Sequence, residues 1–393
     1  MTTVAAANLG TESERWLAAA RALAPLVAVE ADAAEAERRL TDPVVAAFKA
    51  AGFYRMWLPH DLGGAELDPL TAMRVVEELA RADGSAGWCV GPAHAANLWF
   101  QVPRLAREVT AAVFADPDTI LVESIQPRGR AVAVPGGYRV SGRWPFGSGA
   151  SHGTWFSGRC AVYDGDEPRR LPDGTPELHL FLLPPAAVTV HDTWTTTGLR
   201  ATASHDWSVE DAFVPEERVS GFRVDPVEYP WPLFRSLAFN CALFAACVLG
   251  IARHALDAFT ELAAAKLSGT PPVLLRDQLR VQNELARAEA GVRGARCYLY
   301  QAVGAYWQAA LLDDAPPLTA RAEAALASEL ALTSALAAAE TAYRLAGSSA
   351  VYAGPLDRCL RDLHTAAAHM VFGPAQWEAA GRVCLGLEPG AMW

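Results

Sequence analysis

Between Thr119 and about Arg218 the apolar side chains recur at every second position, while on both sides of that block they recur every three or four. A chain that switches period twice must build helices, then a β-domain, then helices. Inside the block, ILVESI, YRVSGRW, TWFSGRCAVY, LHLFLL and VTVHDTW alternate with turns, and 164–177 (DGDEPRRLPDGTPE) reads as a polar surface loop. The expected central domain is a β-sandwich or barrel. Upstream, Asp42-Pro43 and Asp68-Pro69 each read as an N-cap followed by proline at the first helical position, with Gly52 and Gly84 as the stops. Downstream, Leu237, Cys241, Phe244, Val248, Ile251, Ala255, Ala258 and Leu262 form one helical seam. Val281 to Ala309 forms a second; further helices are expected at about 319–345, from Pro355 and from Pro374, giving a four-helix-type bundle. The expected class is α+β multidomain: an N-terminal helical domain (1–117), a central β-domain (118–222) and a C-terminal bundle (223–393).

The net charge of −11 and pI of about 5.3 argue against nucleic acid as partner, because phosphate binding needs a basic face. No uncharged span of membrane length is evident, so no transmembrane helix is expected, and the start MTTVAAANLGTESERW lacks the basic region and apolar core of a signal peptide. Seven scattered cysteines without a Cys-x-x-Cys pair are expected to be free, buried thiols in a reducing cytoplasm. No metal-ligand motif occurs, and no metal is expected.

The stretch Glu123–Gly149, ESIQPRGRAVAVPGGYRVSGRWPFGSG, reads as three short strands with a reversal at Pro135-Gly136-Gly137. One end offers Ser124, Gln126 and Arg128; the other offers Trp144, Phe146 and Ser148 on a glycine-punctuated turn. Hydroxyl and amide groups beside flat aromatic faces suit a planar polar heterocycle such as a flavin. An ordinary hairpin with a cross-strand aromatic cluster fits the same residues. Ala86, Val90, His94 and Leu98 lie four apart and share one helix face. His364 and His369 lie five apart on one expected helix and so do not share a face.

Four pieces in this order resemble the acyl-CoA dehydrogenase fold over nearly the whole chain: FYRMWLPHDLGG with EELARADGS, GYRVSGRWPFGSG, TGLRATAS with FVPEERV, and AGSSAVYAGPLDRCLRD. Where dehydrogenases with a C-terminal base carry a Tyr-Glu-Gly-Thr run, this chain reads Val371-Phe372-Gly373-Pro374, and Phe cannot take a proton; Glu378 lies about a turn away. GSAGWCVG, ESIQPRGRA, WPFGSG and DLHTAAAH resemble instead the oxygenase components of two-component flavin-dependent monooxygenases, such as p-hydroxyphenylacetate hydroxylase, dibenzothiophene monooxygenase and the actinobacterial steroid-ring hydroxylases.

That resemblance implies reduced FMN or FAD from a separate flavin reductase, dioxygen, and a C4a-(hydro)peroxyflavin that hydroxylates an aromatic or other electron-rich small molecule or oxidises its N or S. It implies Ser148 as donor to the flavin ring, Ser124 at the flavin edge, Trp144 and Phe146 flanking it, and Gln126 and Arg128 beside them. His369 becomes the base or peroxide donor, the base role being favoured for an ionisable substrate, and His94 lines the substrate side. Arg276 and Gly347-Ser348-Ser349 fall where the family holds the cofactor's phosphate end across a subunit boundary, which implies a homotetramer. The alternatives are an acyl-CoA dehydrogenase-like desaturase with a relocated base and a non-catalytic helical scaffold.

Overall fold

The computed structural model describes residues 2–94, 98, 101–221, 229, 231–313 and 316–390. Helices α1 (Thr2–Glu37), α2 (Asp42–Ala50), α3 (Pro69–Ala82), α4 (Gly84–Trp88) and α5 (Arg107–Phe114) precede the sheet. Helices α6 (Ala238–Ala265), α7 (Leu279–Leu312), α8 (Leu318–Ala346), α9 (Pro355–Ala367) and α10 (Pro374–Cys384) follow it. Asp68 caps α3 as expected, its Oδ1 accepting from the N–H groups of Leu70 (2.9 Å) and Thr71 (3.0 Å). Asp42 does not cap α2: Thr41 holds that position without a side-chain bond, and Asp42 pairs with Arg39 at 2.6 Å instead. Gly84 does not stop α3 either. Asp83 leaves helical geometry first, and its side chain caps α4 through the Ala86 N–H at 3.0 Å. From α4 the backbone passes into a π-helical turn, Cys89–Ala93, and then to His94; 95–97, 99 and 100 lie outside the described residues.

The helices on both sides of the sheet share one hydrophobic core, from Trp16 and Phe48 to Leu363 and Phe372. Helix α6 runs through its middle with most of its residues buried. Length and hydropathy alone would let α6 and 318–351 cross a membrane, but α6 is spent on packing against α3 and α8. Gly250 makes the α3 contact possible: a Cβ there would sit 2.4 Å from the Glu77 carbonyl oxygen.

The β-domain is one eight-stranded mixed sheet, where a sandwich or barrel was expected. Strands β1 (Leu121–Val134), β2 (Gly137–Gly147), β3 (Trp155–Asp164), β4 (Glu167–Pro168), β5 (Leu178–Leu183), β6 (Thr189–His191), β7 (His205–Pro215) and β8 (Val219–Gly221) run in the order β6-β7-β2-β1-β3-β5-β8, with β4 on β3. β1 and β3 are parallel, and the other pairs are antiparallel. The sheet curls enough for β5 to approach β7 across a separate core of Trp144, Trp207, Phe156 and Phe181. Glu123–Gly149 forms two long strands where three short ones were expected, because Pro135-Gly136 closes a tight turn with Gly136 at φ +80° and pairing resumes at once, Val134 opposite Gly137.

Replacing Gly250 by Ala forces the α3–α6 contact apart. The expected cost is about 1–3 kcal/mol, the usual penalty of overpacking, read as a lower urea midpoint at unchanged m-value.

Candidate active site

The sheet contributes an aromatic and a chain of hydroxyls. A period of two would bury Phe146 beside Trp144. Phe146 instead adopts φ +63°, the β2–β7 register shifts between Trp144 and Gly147, and the ring turns out, 59% exposed and edge-on to Trp194 at 6.3 Å. Ser148 follows on the turn, its Oγ 2.7 Å from Ser204 Oγ, which is 2.7 Å from Thr202 Oγ1. The Thr202 hydroxyl donates to the Leu199 carbonyl at 2.8 Å. Leu199 and Ala203 both hold left-handed backbone, at φ +47° and +46°. Side chains that carry a Cβ adopt this conformation only when the surroundings impose it.

The helices contribute an aromatic box. The His369 ring stacks on Phe244 (4.6 Å, 24°) and meets the edge of Trp88 (5.5 Å). Phe372 is buried edge-on to Phe244 at 6.5 Å. Helix α9 stops at Ala367, so His369 sits on the turn beyond it, not on the helix as expected. Its Nδ1 accepts the Val371 N–H at 3.3 Å, which leaves the proton of the neutral ring on Nε2. Burial pushes this imidazole down to about 4. His364 is exposed on α9, 3.7 Å from Glu340. Glu378 is exposed on α10. A buried carboxylate, Glu329, does lie at the Phe372–Gly373 turn, but its Oε1 accepts the Gly373 N–H at 3.0 Å and so holds the start of α10.

Between these walls lie groups that the sequence reading left without a role. Asp83 and Asp362 are both buried, and each is bonded to a main-chain N–H: Asp362 Oδ1 accepts from Leu199 at 2.6 Å. Burial and mutual repulsion raise the Asp362 carboxyl well above the usual range, and burial raises Asp83. Tyr54 packs between His94 (5.3 Å) and His152 (6.2 Å). Burial pushes both imidazoles down to about 4. His94 Nε2 donates to the Tyr54 carbonyl at 2.5 Å. His152 has Nε2 only 3.0 Å from where a Cβ on Gly149 would lie. Glu123 is buried with Gln101 Nε2, which donates to it at 2.6 Å and to Ser157 Oγ at 2.7 Å, and desolvation pushes its carboxyl up to about 8.

Other expected site residues fall elsewhere. Trp144 has no exposed surface: it stacks on Trp207 at 4.4 Å, donates to the Arg159 carbonyl at 2.9 Å, and lies in the space left by Gly129, Gly142 and Gly158. It is a core residue and cannot flank a ligand. Ser124 is buried at the last regular rung of β1 against β3, opposite Gly158. Past it β1 bulges as far as Gly129, so Gln126 and Arg128 bond each other at 2.9 Å, with Arg128 exposed. Arg276 is exposed near Asp277, 3.9 Å away. Lys266 is what reaches Ser349, at 2.8 Å, while its carbonyl accepts the N–H of Leu275, next to Arg276. Arg276 and the Gly347–Ser349 turn therefore share one end of the bundle, with Gly347 and Ser348 exposed. Among the described residues no cluster suits a metal ion.

An exposed aromatic plate followed by paired hydroxyls fits a planar ring edged with nitrogen and oxygen, which is the donor set a flavin needs. Helical domain, curled sheet and bundle in this order define the acyl-CoA dehydrogenase fold. Residues 11–101 match the acyl-CoA dehydrogenase N-terminal domain and 242–374 its C-terminal domain. The chain is 32% identical to the indole-3-acetate monooxygenase of Pseudomonas putida over 361 residues, 90% of this chain and 89% of that one. It is 27% identical to the flavin-dependent monooxygenase oxygenase subunit HsaA of Mycobacterium tuberculosis, covering 96% and 97% of the two chains. Among solved structures, XiaF from Streptomyces sp., in complex with FADH2 and glycerol, superposes with a TM-score of 0.89 at 27% identity, covering 99% of each chain. The protein belongs to the oxygenase components of flavin-dependent monooxygenases within the acyl-CoA dehydrogenase family, and it is an oxidoreductase.

Glu123 gives a pH test of the buried cluster. Its folded pKa lies above the unfolded one, so its contribution is fully present below about 4.5 and is lost as pH rises through about 8. Glu123→Gln should therefore match wild type in thermal melts at pH 5 and exceed it progressively towards pH 9. A melting difference that does not change with pH would sink this reading.

Proposed function

We propose that the protein hydroxylates an aromatic or similarly electron-rich small molecule, using reduced FMN or FAD delivered by a separate reductase, and dioxygen. Reduced flavin with dioxygen supplies the electrophilic oxygen. Phe146 would support the ring, and Ser148, whose proton is used in the chain through Ser204 and Thr202 to the Leu199 carbonyl, would accept from an N–H at the ring's polar edge. The observation that carries the reading is His369: a neutral imidazole in a box of Trp88 and Phe244, with Phe372 where the family's dehydrogenases place their carboxylate. Such a box excludes water and offers the Nε2–H of His369 as a proton donor, with no carboxylate at position 372 to act as the base that desaturation requires. With Nδ1 already accepting the Val371 N–H, the geometry favours the donor role of His369 over the base role. Nothing supports a role for His364, which faces outward.

His94, buried beside Tyr54, would line the substrate side. The exposed apolar residues Leu312, Val351, Tyr352, Trp377 and Leu385 support a homotetramer, in which Arg276 and Gly347–Ser349 would serve the neighbouring subunit's cofactor. Seven free cysteines support a cytoplasmic location, although Cys297 and Cys384 are exposed and not buried as expected.

Mixing with reduced flavin under nitrogen and then with oxygen tests the class, with hydrogen peroxide release as the readout. Ser148→Ala removes a hydrogen bond to a buried polar group, about 1–3 kcal/mol, so peroxide should be released roughly 5- to 150-fold faster. Unchanged release would count against the assignment of Ser148.

His369→Ala should raise peroxide release even without substrate, as expected of a lost donor, while His364→Ala should leave it at the wild-type rate. The reverse pattern would exchange the two histidines, and no effect from either would remove this turn from the reaction.

A further inference from the structure

We propose that Asp362 is a positioning residue for the oxygenase site: paired with Asp83, it holds the turn that carries the hydroxyl chain and ties that turn to the helix bearing Trp88. The inference rests on the oxygenase reading above. Asp362 Oδ1 accepts the Leu199 N–H at 2.6 Å, on a residue whose left-handed backbone needs an external hold. Leu199 then accepts from Thr202 Oγ1 at 2.8 Å and from Trp194 Nε1 at 2.9 Å, and Trp194 supports Phe146. The Thr202 carbonyl accepts the Gly149 N–H at 2.8 Å and faces Cys89 Sγ at 3.8 Å. One carboxylate oxygen thus sets the position of both the plate and the hydroxyls.

The second oxygen of Asp362 faces α4. A Cβ on Gly84 would lie 2.8 Å from Oδ2, so the backbone next to Asp83 approaches Asp362 as closely as a residue without a side chain allows. Asp83 holds the N-terminus of α4, the helix that ends in Trp88. Burial and repulsion from Asp83 raise the Asp362 carboxyl, and burial raises Asp83, so the pair resists double ionisation. The groups that face it leave that result standing. Arg358 is held by Asp32 and Glu35, and Arg361 by Asp357 and Glu35, so both cations are already matched. Cys89, Cys247 and Cys359 are thiols with raised pKa and carry no charge. His254, near Arg358, is pushed down and neutral. The Leu199 N–H favours the ionised form of Asp362, so the hold does not depend on the proton and persists as pH rises.

The test uses two variants and two readouts. In the flavin-free protein, backbone amide exchange over Leu199–Ser204 reports the hold directly. Asp362→Asn keeps the acceptor for Leu199 in a permanently neutral amide. It should keep wild-type protection over Leu199–Ser204 at neutral pH. Asp362→Ala should raise exchange by on the order of tenfold, the equivalent of one lost hydrogen bond. With reduced flavin and oxygen, Asp362→Ala should release peroxide faster and Asp362→Asn should not. If the Ala variant fails to fold, the Asn variant decides, and loss of its protection over Leu199–Ser204 overturns the proposal. Altered exchange with unaltered peroxide release in Asp362→Ala also overturns it, since the hold would then be structural only. Failure of Ser148→Ala to change peroxide release while the exchange results stand would refute the oxygenase reading of the hydroxyls and, with it, the positioning role, but not the carboxyl pair itself.

Discussion

The Gly198–Ala203 turn joins the sheet to the bundle, and the site depends on that junction. A Cβ at position 198 would lie 2.1 Å from the Arg361 carbonyl oxygen, so the backbone of the turn rests directly on α9. Contact this close needs glycine, and the next residue is held left-handed at φ +47°. Sheet and helices meet in the main core, which takes in Leu121 and Leu182, while Trp144, Trp207, Phe156 and Phe181 form a second core within the sheet. Directional bonds at the turn, Leu199 to Asp362 and Arg361 to the Thr197 carbonyl, set their relation. Residues from two cores can therefore serve one site.

Desolvation gives that site its chemistry. Three histidines, 94, 152 and 369, are all pushed down to about 4 because their rings are packed among aromatic and backbone groups. At neutral pH they are uncharged, with the proton fixed on Nε2 in His94 and His369. The carboxyls of Asp83, Asp362 and Glu123 are shifted the opposite way by the same cause. Burial thus lowers the charge of the interior from both sides, which suits an intermediate that water would destroy.

Much of this was legible in the sequence, and the misses share a cause. Periodicity gave the helix–sheet–helix order, because burial of one face repeats along every element. It failed at the ends of elements. Trp144 and Phe146 are equivalent by a period of two, yet one is core and the other exposed, since the left-handed Phe146 reverses the alternation. The glycines that make room for Trp144 come from three strands, and no local pattern shows that they meet. His369 was read as helical because nothing nearby breaks a helix before Gly373, and α9 stops at Ala367 regardless. Thr202 and Ser204 stood in a quoted motif without a role. Their part depends on a 2.7 Å approach to Ser148, 56 positions away from Ser204.

An aromatic side chain at position 372 makes different demands on the surrounding turn from a carboxylate. An ionised carboxyl there would need donors around it, and a donor-rich pocket admits water. Phe372 removes that need and packs on Phe244, the ring that also carries His369. The carboxylate that remains nearby, Glu329, is turned to the Gly373 N–H and fixes where α10 begins. Its raised pKa comes from burial, and its bond to the backbone leaves it as a brace for the turn. The turn thus presents an aromatic wall, beside which the neutral His369 ring carries its proton on Nε2.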